Sequence, residues 1–163
     1  VSWFLEISKT LRTSIQRKEI AYHGDIKPEN IIIADKGNVI LLDPSFSDIG
    51  AGIFCTTPFY NPLLLRSPKA DVMGIGIMLY EIFTSFMPFN NVPWQYANQR
   101  PRTSVERLEL AYFLSYLPLS EFRVNTSRAK REVFEKIIYN CLIVTEYGLN
   151  ELIADLKKIV RID

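Results

Sequence analysis

A short strip between residues 22 and 45, YHGDIKPENIIIADKGNVILLDPS, carries four side chains suited to handling phosphate groups. Asp25, Lys27 and Asn30 lie within six residues, and Asp43 follows thirteen residues after Asn30. A carboxylate can accept a hydroxyl proton, and a lysine can neutralise charge on a moving phosphoryl group. The amide oxygen of Asn30 and the carboxylate of Asp43 are hard ligands that suit Mg²⁺. The strip therefore indicates a phosphoryl-transfer site in outline, although the same residue types also cluster in ordinary solvated turns.

A β-hairpin is expected to bring these side chains together. The apolar runs NIIIA and VILLD are separated by the turn residues 35–38, which include a glycine. Folding the hairpin back places Asp43 close to Asn30. A helix over residues 3–17 precedes the strip, and its expected buried face is formed by Trp3, Ile7, Leu11 and Ile15.

The rest of the chain predicts a mainly α (α+β) fold, a helical bundle around a buried central helix with one small hairpin. Residues 44–69 contain four prolines and predict a long loop. The run DVMGIGIMLYEIFTSF, from Asp71, is apolar on nearly every side and predicts the central helix. Asp71 can cap free backbone amides there, while Gly74 and Gly76 allow another backbone to approach.

Three further helices are predicted after the central one. They cover roughly residues 104–117, 127–144 and 149–161, and Asn150 is a candidate cap for the last. The last of these helices has apolar residues at helical spacing from 149 to 160. These helices complete the bundle, which we expect to form a single domain.

Composition narrows the classes of partner. The chain has 163 residues, 48% hydrophobic and 23% charged, with a formal net charge of +1, so we expect neither nucleic acid nor a membrane as partner. Its apolar runs are shorter than the roughly 18 residues of a membrane span. Cys55 and Cys141 are too few for a disulfide framework, and we interpret them as reduced, buried thiols of a cytoplasmic protein.

The motifs resemble those of a protein-kinase family in order and type. HGDIKPEN resembles the catalytic loop H-R-D-x-K-x-x-N, and DPS stands in the place of D-F-G. TTPFYNP resembles G-T-P-x-Y-x-A-P-E, and the central helix resembles D-x-W-S-x-G-x-x-x-Y-E. The chain is thus similar to the C-terminal lobe of eukaryotic-type serine/threonine protein kinases. The implied parts are a leading helix (1–20), catalytic loop and hairpin (22–45), activation segment (46–70), central helix (71–87) and C-terminal helices (100–163).

The resemblance implies a role for each site residue. Asp25 would be the catalytic base, Lys27 would steady the phosphate, and Asn30 and Asp43 would bind Mg²⁺ beside ATP. Thr57 would tie the activation segment to Asp25 and Lys27.

Three further residues have implied supporting roles. Ile32 would lie beneath the adenine ring and rest on Met78 and Ile82. Asp71 would hold the backbone around His23 and Gly24. His23, the only histidine, is expected to be a structural core residue.

The sequence also departs from the family pattern. Gly24 replaces the arginine that pairs with a phosphorylated activation loop, so phosphate-dependent ordering is not expected. Pro44 and Ser45 replace the phenylalanine and glycine of D-F-G, which makes flipping of that loop less favourable. Leu63 replaces the glutamate of A-P-E.

The 163 residues contain no G-x-G-x-x-G loop and no second lobe, which a kinase needs. Three hypotheses remain open: a kinase C-terminal lobe whose other lobe belongs to the same or another chain, a non-catalytic lobe acting as an interaction module, and a small-molecule phosphotransferase. A protein substrate or protein partner is expected under the first two, and an uncovered apolar surface predicts possible self-association. We expect the isolated chain to be catalytically inactive.

Overall fold

The computed structural model describes residues 2–44, 56–57, 59–88, 117–122 and 126–160. These residues form a mainly α fold with a two-stranded antiparallel sheet. The helices are α1 (Ser2–Gln16), α2 (Pro68–Thr84), α3 (Arg128–Ile143) and α4 (Leu149–Val160), and the strands are β1 (Ile31–Ile33) and β2 (Val39–Leu41). Within the described ranges, no helix has the length and apolarity needed to cross a membrane.

Helix α1 packs one face against α4 and β2. Its buried residues are Phe4, Leu5, Ile7, Ser8 and Leu11. The expected place of Trp3 in this face is wrong, because Trp3 is 56% exposed. A stripe at steps of four drifts by ~40° per step around a helix with 3.6 residues per turn, so its ends leave the buried face.

The predicted hairpin is confirmed. Ile32 pairs with Ile40 and Ile33 with Val39, and Gly37 adopts a φ of 79° in the turn, where a side chain would be strained. The inner face packs against the core through the partly buried Ile31, Val39 and Leu41. The outer face leaves three aliphatic side chains at least 36% exposed, namely Ile32, Ile40 and Leu42.

Helix α2 is the central helix, and every residue from Ala70 to Tyr80 is buried. It begins at Pro68, earlier than the predicted Asp71, because proline fits the first turn of a helix. A Cβ on Gly74 would lie 2.8 Å from the carbonyl oxygen of Ile26, so this glycine permits the close backbone approach that was predicted. Ile82 is 66% exposed, so the expectation that this residue of the central helix is buried is wrong. Its contact with Ile32 stays a prediction.

Helices α3 and α4 confirm the predicted helices at 127–144 and 149–161 to within one residue at each end. The hydroxyl of Ser127 accepts a hydrogen bond from the Lys130 N–H and caps α3. Asn150 is not the cap of α4, since it lies inside that helix; the Glu151 carboxylate instead accepts a bond from the Gly148 N–H at 3.1 Å. Nearly all of the predicted helix at 104–117 lies outside the described residues.

One lysine of α2 fastens it to the end of α3. The Lys69 ammonium donates to the carbonyl oxygens of Asn140 (3.2 Å), Val144 (2.6 Å) and Tyr147 (3.3 Å). Burial lowers the pKa of Lys69 to about 8.

The two cysteines differ in what the structure describes. Cys141 is a buried free thiol, and burial raises its pKa to about 12. Cys55 lies outside the described residues.

Candidate active site

The catalytic-loop backbone is anchored to the central helix by one buried carboxylate. Asp71 accepts hydrogen bonds from the N–H groups of His23 at 2.8 Å and Gly24 at 2.7 Å. This confirms that Asp71 holds the backbone at these two residues. The expectation that it caps the amides of its own helix is wrong, because the helix starts earlier and both carboxylate oxygens face the loop. Burial raises the pKa of Asp71 to about 7, against the opposing effect of these two bonds.

His23 is fully buried, which confirms its structural place in the core. Its Nδ1 accepts from the Asp25 N–H at 3.3 Å, so Nε2 carries the proton and donates to the Leu42 carbonyl at 2.9 Å. Burial lowers the pKa of His23, although the Leu42 bond and nearby Asp25 and Asp43 oppose that shift. The imidazole thus links the catalytic loop to the end of β2.

Gly24 has a φ of 81°, a left-handed conformation that favours glycine. An arginine side chain at this position would add steric strain to the loop. Glycine in place of the H-R-D arginine therefore suits the backbone conformation at this position. The sequence pattern alone does not reveal that conformation.

The Asp25 carboxylate is the centre of a cluster with Lys27, Asn30 and Thr57. Its Oδ1 accepts the Thr57 N–H at 2.6 Å. Its Oδ2 lies 2.8 Å from the Lys27 ammonium and accepts from Asn30 Nδ2 at 3.0 Å. Burial alone would raise the pKa of Asp25, but the bonds from Lys27 and Thr57 outweigh it and hold that pKa below its ordinary value.

Lys27 joins the two segments of the site. Its ammonium donates to the Thr57 hydroxyl at 2.7 Å as well as pairing with Asp25. The side chains of Lys27 and Asp25 are 22% and 13% exposed, so this pair is only partly screened by water. The predicted contacts of Thr57 with Asp25 and Lys27 are confirmed.

Asn30 and Asp43 are positioned at the open end of the hairpin. Asn30 is buried, and its Nδ2 donates to the backbone oxygen of Asp25 as well as to the carboxylate, which leaves Oδ1 as its oxygen for a cation. The Leu42 N–H donates to the Asn30 carbonyl at 2.9 Å, so Asp43 follows directly after this contact. Asp43 is exposed and has a φ of 50°, a conformation that aspartate tolerates better than most residues.

An amide oxygen and a carboxylate are the donor types that Mg²⁺ accepts when phosphates and water complete its shell. The described residues contain no group of three His, Cys, Asp or Glu side chains that would hold a metal by themselves. The pair therefore fits a cation that is bound together with phosphate. Ser45, the last residue of the DPS motif, lies outside the described residues.

The predicted adenine-contacting residue lies on the outer hairpin face. Ile32 is 45% exposed, whereas Met78, on which it was expected to rest, is only 4% exposed. The surface at Ile32 is thus apolar and open to a flat ring. Its contact with adenine stays a prediction.

Some residues of the site were not predicted as such. The Thr56 hydroxyl donates to the Gly24 carbonyl at 2.7 Å, and Asn61 Nδ2 donates to that hydroxyl at 3.1 Å. The Tyr60 hydroxyl donates to the Glu81 carboxylate at 2.7 Å, and burial together with this carboxylate raises the pKa of Tyr60. Asparagine is a common turn residue in proline-rich loops, so the sequence did not indicate that Asn61 belongs to the site.

Comparison with known proteins agrees with these motifs. No protein-family model matches the chain. The serine/threonine-protein kinase PknL of Mycobacterium tuberculosis is 35% identical over 80 residues, which is 41% of this chain and 20% of PknL. The CBL-interacting serine/threonine-protein kinase 13 of Arabidopsis thaliana is 32% identical over 84 residues, which is 43% of this chain and 17% of that kinase.

The homologues of this chain are serine/threonine protein kinases. A rice relative, the CBL-interacting protein kinase 30 of Oryza sativa subsp. japonica, is 31% identical over 83 residues. The matched regions span about a fifth of the length of these kinases, at 17–20%. The resemblance to serine/threonine kinases that the motifs indicated is thus confirmed.

Proposed function

We propose that this chain is a kinase C-terminal lobe that supplies the base and metal ligands for transfer of the ATP γ-phosphate to a serine or threonine of a protein. The observation that carries the proposal is the cluster around Asp25, in which Lys27, Asn30 and the Thr57 N–H all bond one carboxylate. Solvated turns do not require three such partners from two separate segments. The kinase relatives support the same reaction class.

Asp25 would act by orienting the substrate hydroxyl. Its lowered pKa keeps it ionised at neutral pH, so it can accept a hydrogen bond from the hydroxyl and take the proton as the phosphate transfers. Lys27, fixed between Asp25 and Thr57, would neutralise charge on the transferring phosphate. Thr57, through its bonds to Lys27 and Asp25, would hold the activation segment beside the catalytic loop.

Asn30 Oδ1 and the Asp43 carboxylate would hold Mg²⁺, and Ile32 with Lys27 and Asn30 would contact the nucleotide. The metal, when bound, supplies neutralisation of the phosphate oxygens. A glycine-rich lobe must cover the nucleotide from the other side, and it would come from the same chain or a second one.

Mn²⁺ provides a direct test of the metal ligands, because it accepts the oxygen ligands that Mg²⁺ accepts and broadens nearby NMR resonances. With ATP present, we expect broadening in the ¹⁵N-labelled chain centred on Asn30 and Asp43. Asp43→Ala should remove it, whereas Asp35→Ala in the hairpin turn should not. Broadening that persists in Asp43→Ala would refute the assignment.

The outer hairpin face favours a second candidate function, a protein-interaction module. Ile32, Ile40 and Leu42 are 45%, 48% and 36% exposed and form one apolar surface. A partner or a second copy of the chain would cover it. Sedimentation over a range of concentrations tests self-association: Ile40→Lys should make an associating chain monomeric, and a wild-type chain that is monomeric throughout contradicts self-association.

A further inference from the structure

The catalytic loop and the segment at Thr56 are joined by a chain of hydrogen bonds that the kinase motifs do not include. The Thr56 hydroxyl donates to the Gly24 carbonyl at 2.7 Å. The same hydroxyl accepts from Asn61 Nδ2 at 3.1 Å. Thr56 stands where the quoted motif has glycine, and Gly24 stands where it has arginine.

Asn61 is held in place by its own bonds to Leu65. Its Nδ2 donates to the Leu65 carbonyl at 3.0 Å, and its Oδ1 accepts the Leu65 N–H at 2.9 Å. The side chain is almost fully buried, with 2% of the residue exposed. A buried amide with its donors and acceptor satisfied has one preferred orientation, so it can fix the direction of the Thr56 hydroxyl.

The next residue transmits this constraint to the Asp25 cluster. Thr57 follows Thr56 directly, and its N–H donates to Asp25 Oδ1 at 2.6 Å. Its carbonyl also accepts the N–H groups of Tyr60 and Asn61, at 2.9 and 3.0 Å. Thr57 is thus bonded to Tyr60 and Asn61, and the adjacent residues Thr56 and Thr57 fasten this segment to the catalytic loop at two points.

We propose that Thr56 and Asn61 are positioning residues that form a latch, which fastens the end of the activation segment to the catalytic loop without a phosphate group. In the latch, hydroxyl and amide hydrogen bonds perform the ordering that an arginine–phosphate pair would otherwise perform. Its importance for catalysis rests on the proposed function of Asp25. The latch consists of hydrogen bonds, so it can be tested in a chain without catalytic activity.

Amide hydrogen exchange of the wild-type chain and of two Thr56 variants tests the latch. Thr56→Val keeps the shape but removes the hydroxyl, and we expect exchange at the Thr57 amide to rise about tenfold. A tenfold change corresponds to about 1.4 kcal/mol, which is within the range for the loss of one hydrogen bond. Exchange at the Leu156 amide in α4 should change less than twofold. Thr56→Ser keeps the hydroxyl and should match the wild type at both amides.

Asn61→Ala provides a second measurement through the other end of the latch. It should also raise exchange at Thr57, and Thr56→Val in that background should add less than it does alone, because both changes break the same chain of bonds. Two results would overturn the latch: an unchanged Thr57 amide in Thr56→Val, or a rise shared equally by Thr57 and Leu156. If Asn61→Ala does not fold, the Thr56 pair decides the question. Metal binding at Asn30 and Asp43 is measured separately. A negative result for the latch therefore does not refute the proposed function, and a negative result for metal binding does not refute the latch.

Discussion

The carboxylate of Asp71 accepts the backbone N–H of His23 at 2.8 Å, across 48 residues of sequence. Its other oxygen accepts the N–H of Gly24, so one side chain of the central helix fixes the start of the catalytic loop. The position of the site thus depends on α2 as much as on the hairpin.

Asp71→Asn should lower the free energy of unfolding by about 2 kcal/mol, because Asn offers one acceptor oxygen and leaves a buried N–H unsatisfied. Urea unfolding followed by circular dichroism measures the change. Asp35→Asn, at an exposed position of the hairpin turn, is the matched control and should change stability by less than about 0.5 kcal/mol. Equal effects of the two replacements would show that Asp71 does not anchor the loop.

His23 should make stability depend on pH below neutrality. Burial holds its folded pKa below the ordinary value of 6.5, so the unfolded chain binds a proton first as the pH falls. The contribution of His23 is therefore fully present above pH 6.5 and is lost as the pH falls below it. Because the chain has one histidine, its C2 proton reports this titration directly by NMR, with urea-unfolded chain as the reference. A folded pKa at or above the unfolded one would contradict the prediction.

Gly74→Ala should destabilise the fold, although alanine is the better helix former. The new Cβ would lie 2.8 Å from the Ile26 carbonyl oxygen, which is backbone and cannot swing away. We expect a loss of about 1–3 kcal/mol in chemical denaturation, as for other overpacked cores. Lys157→Ala, on the exposed side of α4, is the control and should be nearly neutral. A stabilised Gly74→Ala variant would mean that the catalytic loop does not pack this tightly on α2.

The hairpin and the last two helices could be predicted because each carries its own local signal, a glycine turn between aliphatic runs or apolar residues at helical spacing. Trp3 and Ile82 were misplaced because an apolar side chain at the edge of a stripe can face solvent. The contacts of Thr56 and Asn61 had no such signal, and the contact of Asp71 with the loop was predicted only through the kinase resemblance. These contacts join residues that only the fold brings together. Side-chain hydrogen bonds of this kind produce no periodic pattern of residue types in the sequence.

We propose that Asp25 is the base and that Asn30 and Asp43 hold the metal. The decisive measurement joins this chain to the glycine-rich N-terminal lobe of a serine/threonine protein kinase and follows transfer of radiolabelled γ-phosphate to a protein substrate, with Mg–ATP affinity measured on the same protein. Asp25→Ala should reduce kcat by about 10²–10⁴-fold, the range of general acid–base catalysis, while the Kd for Mg–ATP changes by less than about threefold. A chimera that binds Mg–ATP but transfers no phosphate, or one in which Asp25→Ala transfers at the parent rate, would contradict these roles.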